Sequence, residues 1–400
     1  MLNARDIVYN RFITPFEKKN SEHIGVELEF PVVNDSGENI DVSFVSSVMD
    51  YLEEKGFHCV ISGPKGEKFF MENDQGDCLS FDNSYNNFEF SLNHGDNLCM
   101  LYDRFMSYFE LVNGYFSQNK HKLYARGTHP DYKKIQVNHL PFSTYNMVQR
   151  YLKEIGGEHC YPDFPAFMSS VQTHLDIDLK NLPKAYTLFS KMDFVRGHLF
   201  ANSPDFEGRG FRIFRDYLWQ KSAFGKCPNI TGTVDREFFS IDEIVDFFLE
   251  KGIFNRLRGG EYEVFEPVEI KKYFNNPEYN ALAEDIECYL SFCNVEITAR
   301  GTLEIRSDCT QPDGMFFTPP AFSLGILEKM DQAAEVLNSF FSRNHITLKN
   351  SELRKIVAEG KDTDLIASKA ELDALCGKLW EISYDGLKKR SKSEEKLLVK

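Results

Sequence analysis

Three separated segments of the chain place charged side chains at alternate positions of otherwise apolar runs. They are GVELEF at 25–30, SSVQTHLDID at 169–178 and GTLEIRSD at 301–308. Because alternate side chains of a strand point to one face, the pattern predicts three β-strands, each with an apolar and a charged face. Burying such charges on a sheet is unfavourable unless a counter-charge pairs with them. A divalent metal and a polyphosphate are partners that would supply it.

The rest of the chain alternates between helical periodicity and short apolar strands. Helices are predicted over 45–56, 96–119, 182–201, 241–252 and 280–292, and from 318 almost to the end. Strands are predicted at 59–62, 123–127, 294–299 and 302–307, with an Asn-rich hairpin over 78–92. The strands form antiparallel-looking pairs, so we expect an α+β fold. No repeat or linker divides the chain, and residues 1–400 are expected to form a single domain.

Composition and charge narrow the class of protein. Of the 400 residues 42% are hydrophobic, including 36 Phe and 18 Tyr, which is enough for a large core. The formal net charge of −15 argues against nucleic acid and against an anionic membrane as partners. The basic run Lys388–Lys392 is expected to be a solvated end of the chain.

The cysteines and the N-terminal residues point to the cytoplasm. The chain begins MLNARDIVYNRF, without the apolar core of a signal peptide, and no run approaches the ~20 apolar residues of a membrane span. The nine cysteines, with no CxxC pair, are expected to be reduced thiols. A zinc site is not expected, because Cys288 and Cys293 are irregularly spaced and HExxH is absent. The sequence also lacks three common motifs: the P-loop motif GxxxxGK[ST], the Rossmann motif GxGxxG after a strand, and the hydrolase motif GxSxG. P-loop, Rossmann and hydrolase-elbow sites are therefore not expected.

Four acidic residues are candidates for a cation site. Glu27 and Glu29 share one strand face, which is either a solvated edge or the wall of a site; the apolar residues between them favour an inner strand. Asp82 and Glu89 flank the hairpin turn, and each alone is more often a solvated charge than a ligand. Together the four carboxylates suit Mg²⁺, a hard cation that prefers oxygen ligands.

Two further strands and one loop carry the other candidate side chains. His174 alone is usually a structural residue, but Gln172 and Asp176 share its face, which is typical of a cavity wall. Glu304 and Arg306 form either an internal ion pair or part of a site. An ion pair between these two would not explain why Asp308, the next residue in the same alternation, is also charged. The arginines of the segment 209–215 either clamp carboxylate or phosphate oxygens or belong to a solvated basic loop.

Taken in chain order, these segments resemble the glutamate–cysteine ligase family, which includes related carboxylate–amine ligases. GVELEF resembles the family's opening G-[IV]-E-x-E-F strand, and FDNSYNNFEFSL (81–92) its second acidic strand in the proteobacterial branch. SSVQTHLDID resembles the V-Q-V-N-L-D strand of the plant-like branch, with His174 where that branch has Asn and the proteobacterial branch has His. The Glu-Pro-Gly-Gly turn of the plant-like branch is absent.

The resemblance extends through the rest of the chain. ARGTHP (125–130) is similar to the Gly-Thr-His-Pro signature of the small carboxylate–amine ligases. ANSPDFEGRGFRIFRDYLW (201–219) resembles the A-N-S-P … F-R-x-x-x-W segment, TLEIRSDCTQP (302–312) the E-x-R strand, and GLKKRSKSEEKLL (386–398) the C-terminal end. The order and spacing of these motifs are more specific than any one of them.

The resemblance implies a fold and a chemistry. The implied fold is a curved antiparallel β-sheet funnel flanked by helices, related to the glutamine synthetase catalytic fold. The implied reaction uses ATP to phosphorylate the γ-carboxylate of glutamate, and an amine then attacks the acyl phosphate to give an amide. Mg²⁺, which Mn²⁺ could replace, is the implied metal, and positioning and electrostatics carry most of the rate.

The resemblance also implies roles for individual residues. Arg306 is expected to stabilise the transferred phosphoryl group and Arg215 to hold a glutamate carboxylate or phosphate, with Gln172 and Arg209 beside Arg306 at the nucleotide. The implied metal ligands, of which Glu304 is also expected to be catalytic, are Glu27, Glu29, Asp82, Glu89, His174 and Glu304.

The amine acceptor is the open part of this interpretation. Cysteine is the first expectation, giving γ-glutamylcysteine as in glutathione biosynthesis. Tyr289 stands where the family has a histidine, so another amino acid or amine is the alternative. A third alternative is a catalytically silent nucleotide-binding relative, against which the retention of every charged position argues. The expected partners are therefore small-molecule substrates, and the sequence makes no prediction of an oligomeric state.

Overall fold

The computed structural model describes residues 3–17, 23–63, 65–135, 137–159, 161 and 163–399. Among these residues the chain forms thirteen strands in chain order: β1 Ile24–Asn34, β2 His58–Ser62, β3 Lys68–Glu72, β4 Cys78–Phe81, β5 Asn87–Gly95, β6 His121–Leu123, β7 Ser170–Asp176, β8 Thr231–Gly232, β9 Gly252–Arg258, β10 Glu261–Glu269, β11 Phe292–Cys293, β12 Val295–Ile297 and β13 Thr302–Cys309.

The same described residues form fourteen α-helices: α1 Ala4–Val8, α2 Thr14–Glu17, α3 Val42–Glu54, α4 Leu98–Gln118, α5 Ser143–Ile155, α6 Leu182–Lys191, α7 Asp193–Phe200, α8 Phe214–Gln220, α9 Ile241–Leu249, α10 Ile270–Asn275, α11 Thr318–Leu327, α12 Met330–Arg343, α13 Asn350–Glu359 and α14 Lys369–Arg390. A π-helix, Tyr9–Ile13, joins α1 to α2. Short 3-10 helices lie at Phe164–Phe167, Ala223–Lys226, Pro277–Tyr279, Ala283–Cys288, Thr363–Leu365 and Glu394–Leu397.

One large antiparallel sheet organises the fold. Its strand order is β12-β13-β7-β1-β5-β4-β3-β2, and β6 pairs with the other end of β1. The three charged segments of the sequence form β1, β7 and β13, which lie side by side. The expected α+β architecture with a large antiparallel sheet is therefore confirmed.

The apolar face of β1 builds the core. Ile24, Val26, Leu28 and Phe30 are fully buried. The ring of Phe30 lies 6.2 Å from that of Phe105 on α4 and 5.2 Å from that of Phe316. Each such side chain stabilises the fold by about 1.5–3 kcal/mol through the apolar area removed from water. This packing fixes which face of the sheet points to helices, so the charged residues between these positions must face the other way.

Several predicted elements differ from the structure. The helix predicted over 182–201 is two helices, α6 and α7, separated at Met192. Of the strand predicted at 123–127, only Leu123 lies in a strand, at the end of β6, and Gly127 N–H donates to Asn202 O at 2.9 Å instead of pairing within the sheet. The helix predicted over 280–292 is wrong: this segment is a 3-10 helix followed by β11. The hairpin of β9 and β10 was not predicted.

The basic run near the C-terminus is not a solvated end. The Arg390 side chain is 3% exposed and forms ion pairs with Glu328 at 3.2 Å and Glu394 at 2.6 Å. Lys392 pairs with Asp96 at 3.1 Å. These contacts fix the end of α14 against the start of α4.

The eight cysteines within the described ranges are free thiols, and Cys160 lies outside those ranges. Among the helices that the structure describes, none combines the length and the apolar composition needed to cross a membrane.

Candidate active site

A cavity of about 530 Å³ lies over the charged face of the large sheet. Cavities of this size are typical of small-molecule sites. Its floor comes from β1, β5, β7, β12 and β13, and α5 and α8 contribute to its walls. Nine of the ten predicted site residues line it: Glu27, Glu29, Asp82, Glu89, Gln172, His174, Arg215, Glu304 and Arg306.

Strand register explains why residues far apart in sequence meet here. Glu29 lies opposite Glu89 across the β1–β5 pair, and Glu27 lies opposite Gln172 across the β1–β7 pair. His174 in turn lies opposite Glu304 across the β7–β13 pair. Directly opposed residues of an antiparallel pair share a face, so the alternation within each strand becomes a continuous polar surface across four strands.

Glu29, Asp82 and Glu89 form an acidic cluster at one end of this surface. Each offers a carboxylate oxygen, and these oxygens lie within 4.8 Å of one another. Ser170 N and Gln172 Nε2 each donate to Glu29 at 2.8 Å. Tyr145 OH donates to Asp82 at 2.8 Å. These hydrogen bonds hold the carboxylates in place without neutralising them.

The electrostatics of the acidic cluster favour a bound cation. Burial, followed by repulsion from Asp82, raises the pKa of Glu29 from 4.5 to about 8. Burial, followed by repulsion from Glu27 and Asp82, raises the pKa of Glu89 well above its usual range. Among the described residues, no Lys, Arg or His forms an ion pair with these three carboxylates. Three closely spaced oxygen donors, one buried and two half-buried, that form no ion pair fit the coordination preferences of Mg²⁺.

The other predicted metal ligands lie in ion pairs of the chain itself. Glu27 Oε1 accepts a hydrogen bond from Arg300 Nη1 at 3.3 Å and forms an ion pair with His174, whose Nε2 also lies 3.3 Å away. Burial alone would raise the pKa of Glu27, but His174 and then Arg300 bring it to about 2. Glu304 Oε1 lies 3.7 Å from Arg306 Nε. The structure thus divides the six predicted ligands into an acidic cluster of three and a paired group of three.

Two arginines face the acidic cluster from β13 and α8. Arg215 is 7% exposed, and its Nη1 donates to Arg306 O at 3.2 Å and Asp308 O at 3.3 Å. Its Nε is buried without a hydrogen-bond partner. Arg306 donates from Nη1 to Ser291 O at 2.5 Å. Both guanidinium groups donate to neutral main-chain carbonyls, and their one ion pair among the described residues is the 3.7 Å contact of Arg306 with Glu304, so both suit an anionic ligand.

Arg209 is the predicted site residue that the structure does not bring to the cavity. Its Nε donates to Asp205 at 3.1 Å, and its guanidinium lies 4.5 Å from the ring of Phe214. The contact between a planar cation and an aromatic face is typical of a structural arginine. Arg209 therefore supports the loop after α7 and does not line the cavity.

Asp308 departs from simple strand alternation, whereas Asp176 keeps the face of His174. A β-bulge shifts the register of β13 between Ile305 and Asp308. Because a bulge re-aims the side chains that follow it, Asp308 turns into the protein and lies 3.4 Å from the buried Arg196. Asp176 lies in an adjoining cavity of about 510 Å³, where its carboxylate is 3.7 Å from His23 Nδ1.

Sequence reasoning missed other residues that line the cavity. Tyr145, on α5, belongs to no motif, so only the folded chain reveals that its hydroxyl reaches Asp82. Glu296, on β12, lies opposite Glu304 and faces the same cavity. The sequence does indicate Glu296 as a candidate, because an acidic residue between Val295 and Ile297 repeats the pattern of the other charged strands.

Comparisons with known proteins place the chain in a family. Residues 23–358 match the model of glutamate–cysteine ligase family 2 (GCS2). A comparison with curated protein sequences gives no match.

Among solved structures, the chain is similar to a bifunctional glutathione synthetase from Pasteurella multocida, with 12% identity and a TM-score of 0.41. That alignment covers 98% of this chain and 49% of the synthetase, so the chain spans about half the length of that relative.

Two further solved structures are similar. Glutamate–cysteine ligase (gshA) from Francisella tularensis in complex with AMP has 10% identity and a TM-score of 0.42, over 93% of this chain and 79% of the ligase. GmaS without ligand has 12% identity and a TM-score of 0.36, over 97% of this chain and 73% of that protein.

The family match begins one residue before β1 and ends within α13, so it contains every strand of the large sheet and all nine cavity-lining residues that the sequence predicted. The resemblance carried by the motifs is thereby confirmed, and the chain belongs to glutamate–cysteine ligase family 2.

Proposed function

We propose that this protein is an ATP-dependent ligase that joins the γ-carboxylate of glutamate to the amino group of cysteine through a γ-glutamyl phosphate. The observation that carries the proposal is the juxtaposition, in one cavity, of the acidic cluster with Arg215 and Arg306. A carboxylate cluster suits Mg²⁺ with nucleotide phosphates, and the two arginines that line the cavity suit the carboxylate and phosphoryl oxygens of the acyl donor. Membership of a ligase family supports the reaction class.

The proposed roles follow the two halves of the polar surface. Glu29, Asp82 and Glu89 would hold Mg²⁺, which when bound offsets the charge of the nucleotide phosphates. Arg306 would contact the phosphoryl group as it moves from ATP to glutamate, and Arg215 would orient the glutamate. No residue needs to form a covalent bond, because holding two anionic reactants together against their repulsion provides most of the rate.

The paired group would complete the site once nucleotide binds. His174, Arg300 and Arg306 form ion pairs with Glu27 and Glu304. We propose that these two carboxylates and His174 become ligands when polyphosphate competes for the arginines, since phosphate oxygens match the guanidinium fork.

We also propose a fold relationship, a cellular location and a pathway for this protein. The large antiparallel sheet with a cavity on one face supports a fold related to the glutamine synthetase catalytic fold. Residues 1–400 would form one catalytic domain. A cytoplasmic location would supply ATP and reduced cysteine, and the product would be γ-glutamylcysteine of glutathione biosynthesis.

The test is a ligation assay with purified protein, ATP, Mg²⁺, glutamate and cysteine. We expect phosphate release that requires all four components and a γ-glutamyl dipeptide that mass spectrometry detects. Glu29→Gln should abolish turnover, whereas the control Glu263→Gln, on the hairpin outside the cavity, should leave it unchanged. Absence of both phosphate and amide with every acceptor tried would show that the proposal is wrong.

An amine with an apolar side chain is the second candidate acceptor. The cavity is also lined by the aromatic residues Phe12, Trp219, Tyr289 and Phe292. Trp219 and Phe292 stack with ring centroids 4.4 Å apart, which makes a flat apolar wall. A panel of amino acids and amines in the same assay separates the candidates: the cysteine proposal requires the highest kcat/KM for cysteine.

Calorimetry, combined with the ligation assay, separates both enzyme proposals from a catalytically silent nucleotide-binding protein. Titrating the Mg²⁺ complex of ATP into the protein, then into Glu27→Gln and Glu304→Gln, should show weaker binding in both variants. Nucleotide binding with no turnover for any acceptor would favour the silent alternative.

A further inference from the structure

A buried ion pair lies in the cavity wall opposite the acidic cluster. Lys251 is fully buried and Glu296 is 4% exposed, and Lys251 Nζ lies 2.5 Å from Glu296 Oε2. The rings of Phe247 and Phe248 lie about 5 Å from the same Nζ, at 4.9 Å and 5.0 Å. Two charges in such surroundings pay a desolvation penalty that their mutual attraction need not exceed.

The role of Glu296 becomes apparent from its other contacts. Its carboxylate accepts hydrogen bonds from Ser291 Oγ and, at 3.3 Å, from Tyr289 OH. It also accepts from Ile297 N at 3.0 Å. Glu296 thus holds residues 289–291, the irregular segment that links the 3-10 helix to β11, against β12. Lys251 supplies the counter-charge of this carboxylate beside the rings of Phe247 and Phe248.

The segment that Glu296 holds is the one that positions Arg306. Ser291 O accepts from Arg306 Nη1 at 2.5 Å, the shortest contact of that guanidinium. The other contacts of Arg306 are looser: its Nη2 lies 3.5 Å from Gln172 Oε1, and its guanidinium lies 5.7 Å from the ring centroid of Phe292. Movement of Ser291 would therefore move Arg306.

We propose that Lys251 and Glu296 are positioning residues of the reaction, which act through Ser291 to aim Arg306 at the transferred phosphoryl group. We call these four residues the relay. The proposal rests on the proposed function for the role of Arg306. Glu296 contributes no bond to substrate in this scheme, and its charge is held by Lys251, so its effect is geometric. Displacing a charge-stabilising group by about 1 Å lowers rates by about 10²-fold.

The experiment compares Glu296→Met, Lys251→Met and the double variant. Each single change leaves one buried charge without its partner, so each should lower the unfolding temperature by about 5 °C or more. The double change replaces the ion pair with two apolar side chains of similar length and should restore most of that temperature. It still removes the closer acceptor of Ser291 Oγ and leaves only Ile230 O, at 3.5 Å.

The decisive readouts are kinetic. In the double variant we expect an unfolding temperature near that of the natural protein with kcat at least about tenfold lower and KM for ATP little changed, because Arg306 acts on the transferred group. If the pair were only structural, the double variant would recover kcat together with stability, and that result would overturn the proposal. Glu394→Gln is the matched control, since Glu394 is a fully buried carboxylate paired with Arg390 far from the cavity. It should lower stability and leave kcat unchanged.

A measurement that does not need turnover keeps the relay separate from the proposed function. Hydrogen–deuterium exchange should be faster in peptides covering 289–293 of the double variant, because Phe292 N and Cys293 N lose their ordered surroundings. Faster exchange in a protein that shows no ligase activity would uphold the relay and reject the function. Unchanged exchange would reject the relay, whatever the activity.

Discussion

Glu89→Gln removes one charge from the acidic cluster while keeping the size of the side chain. Glu89 accepts a hydrogen bond from Ser91 Oγ, and a glutamine Oε1 can accept the same bond. The change therefore isolates the electrostatic role of this carboxylate. We expect it to make the metal-free protein more stable and to remove the stabilisation that Mg²⁺ gives.

The magnitude follows from the separations and the pKa shifts. Two unit charges 4.8 Å apart repel by about 3.5 kcal/mol at an effective dielectric constant of about 20. In the same cluster, the carboxyl of Glu29, whose pKa burial and Asp82 raise from 4.5 to about 8, is protonated in both the folded and the unfolded chain below pH 4.5 and destabilises the fold by about 3 kcal/mol at pH 7. This destabilisation grows as the pH rises from 4.5 to about 8, because the unfolded chain loses its proton first. Removing the charge of Glu89 relieves part of it, so we expect a gain of about 1–3 kcal/mol at pH 7.

The assay is urea unfolding at pH 7, with EDTA and with millimolar Mg²⁺ or Mn²⁺. The natural chain should be stabilised by the metal, whereas Glu89→Gln should be more stable in EDTA and respond little to metal. Asp77→Asn is the control of opposite sign: Asp77 is fully buried and is paired with Arg104 at 3.0 Å, so its loss should destabilise the fold under both conditions. A Glu89→Gln protein that is less stable in EDTA and still gains stability from Mg²⁺ would refute the reasoning.

Three further predictions concern other sites. Glu304→Gln should lower turnover by about 10²-fold or more with little change in unfolding temperature, because glutamine keeps the size of this buried side chain and the ion pair that is lost, with Arg306, is long at 3.7 Å. Turnover comparable to that of the natural protein would exclude a role for this carboxylate. Arg209→Gln should change kcat/KM by less than about threefold and Arg215→Gln by about 10²-fold, which steady-state kinetics can compare; the reverse order would restore Arg209 to the site. Burial lowers the pKa of His129 from 6.5 to about 4, so the unfolded chain takes up a proton first as pH falls, and about 2 kcal/mol of stability should be lost between pH 7 and pH 5. This loss should be absent from the urea midpoints of His129→Gln; an equal loss in that variant would assign the pH dependence to other groups.

The sequence identified strands better than it identified helix ends and loops. Strand alternation in β1, β7 and β13 is a local property, because successive side chains must point to opposite faces. The segment 280–292 shows the opposite case. Its apolar spacing fits a helix, but Asp285 accepts hydrogen bonds from Leu282 N and Tyr273 OH and pairs with Arg258, and these tertiary contacts hold it as a 3-10 helix.

The site residues that lie on regular strands could be predicted from their alternation in the sequence, whereas those on loops and helices could not. Arg215 and Arg209 belong to one short arginine-containing segment, and nothing local distinguishes the arginine that enters the cavity from the one that packs on Phe214. Tyr145 reaches Asp82 because α5 lies across the cavity, a placement that depends on packing between distant elements.

By itself the sequence determined which faces of β1, β7 and β13 are charged, since alternation fixes the two faces of a strand. Only the tertiary structure decided how those faces combine. Strand register placed Glu29 against Glu89, the bulge in β13 turned Asp308 away from Arg306, and the ion pairs of Glu27 and Glu304 separated them from the acidic cluster. The physical reason is that electrostatic interactions depend on distances between groups remote in the chain, and those distances exist only once the sheet has formed.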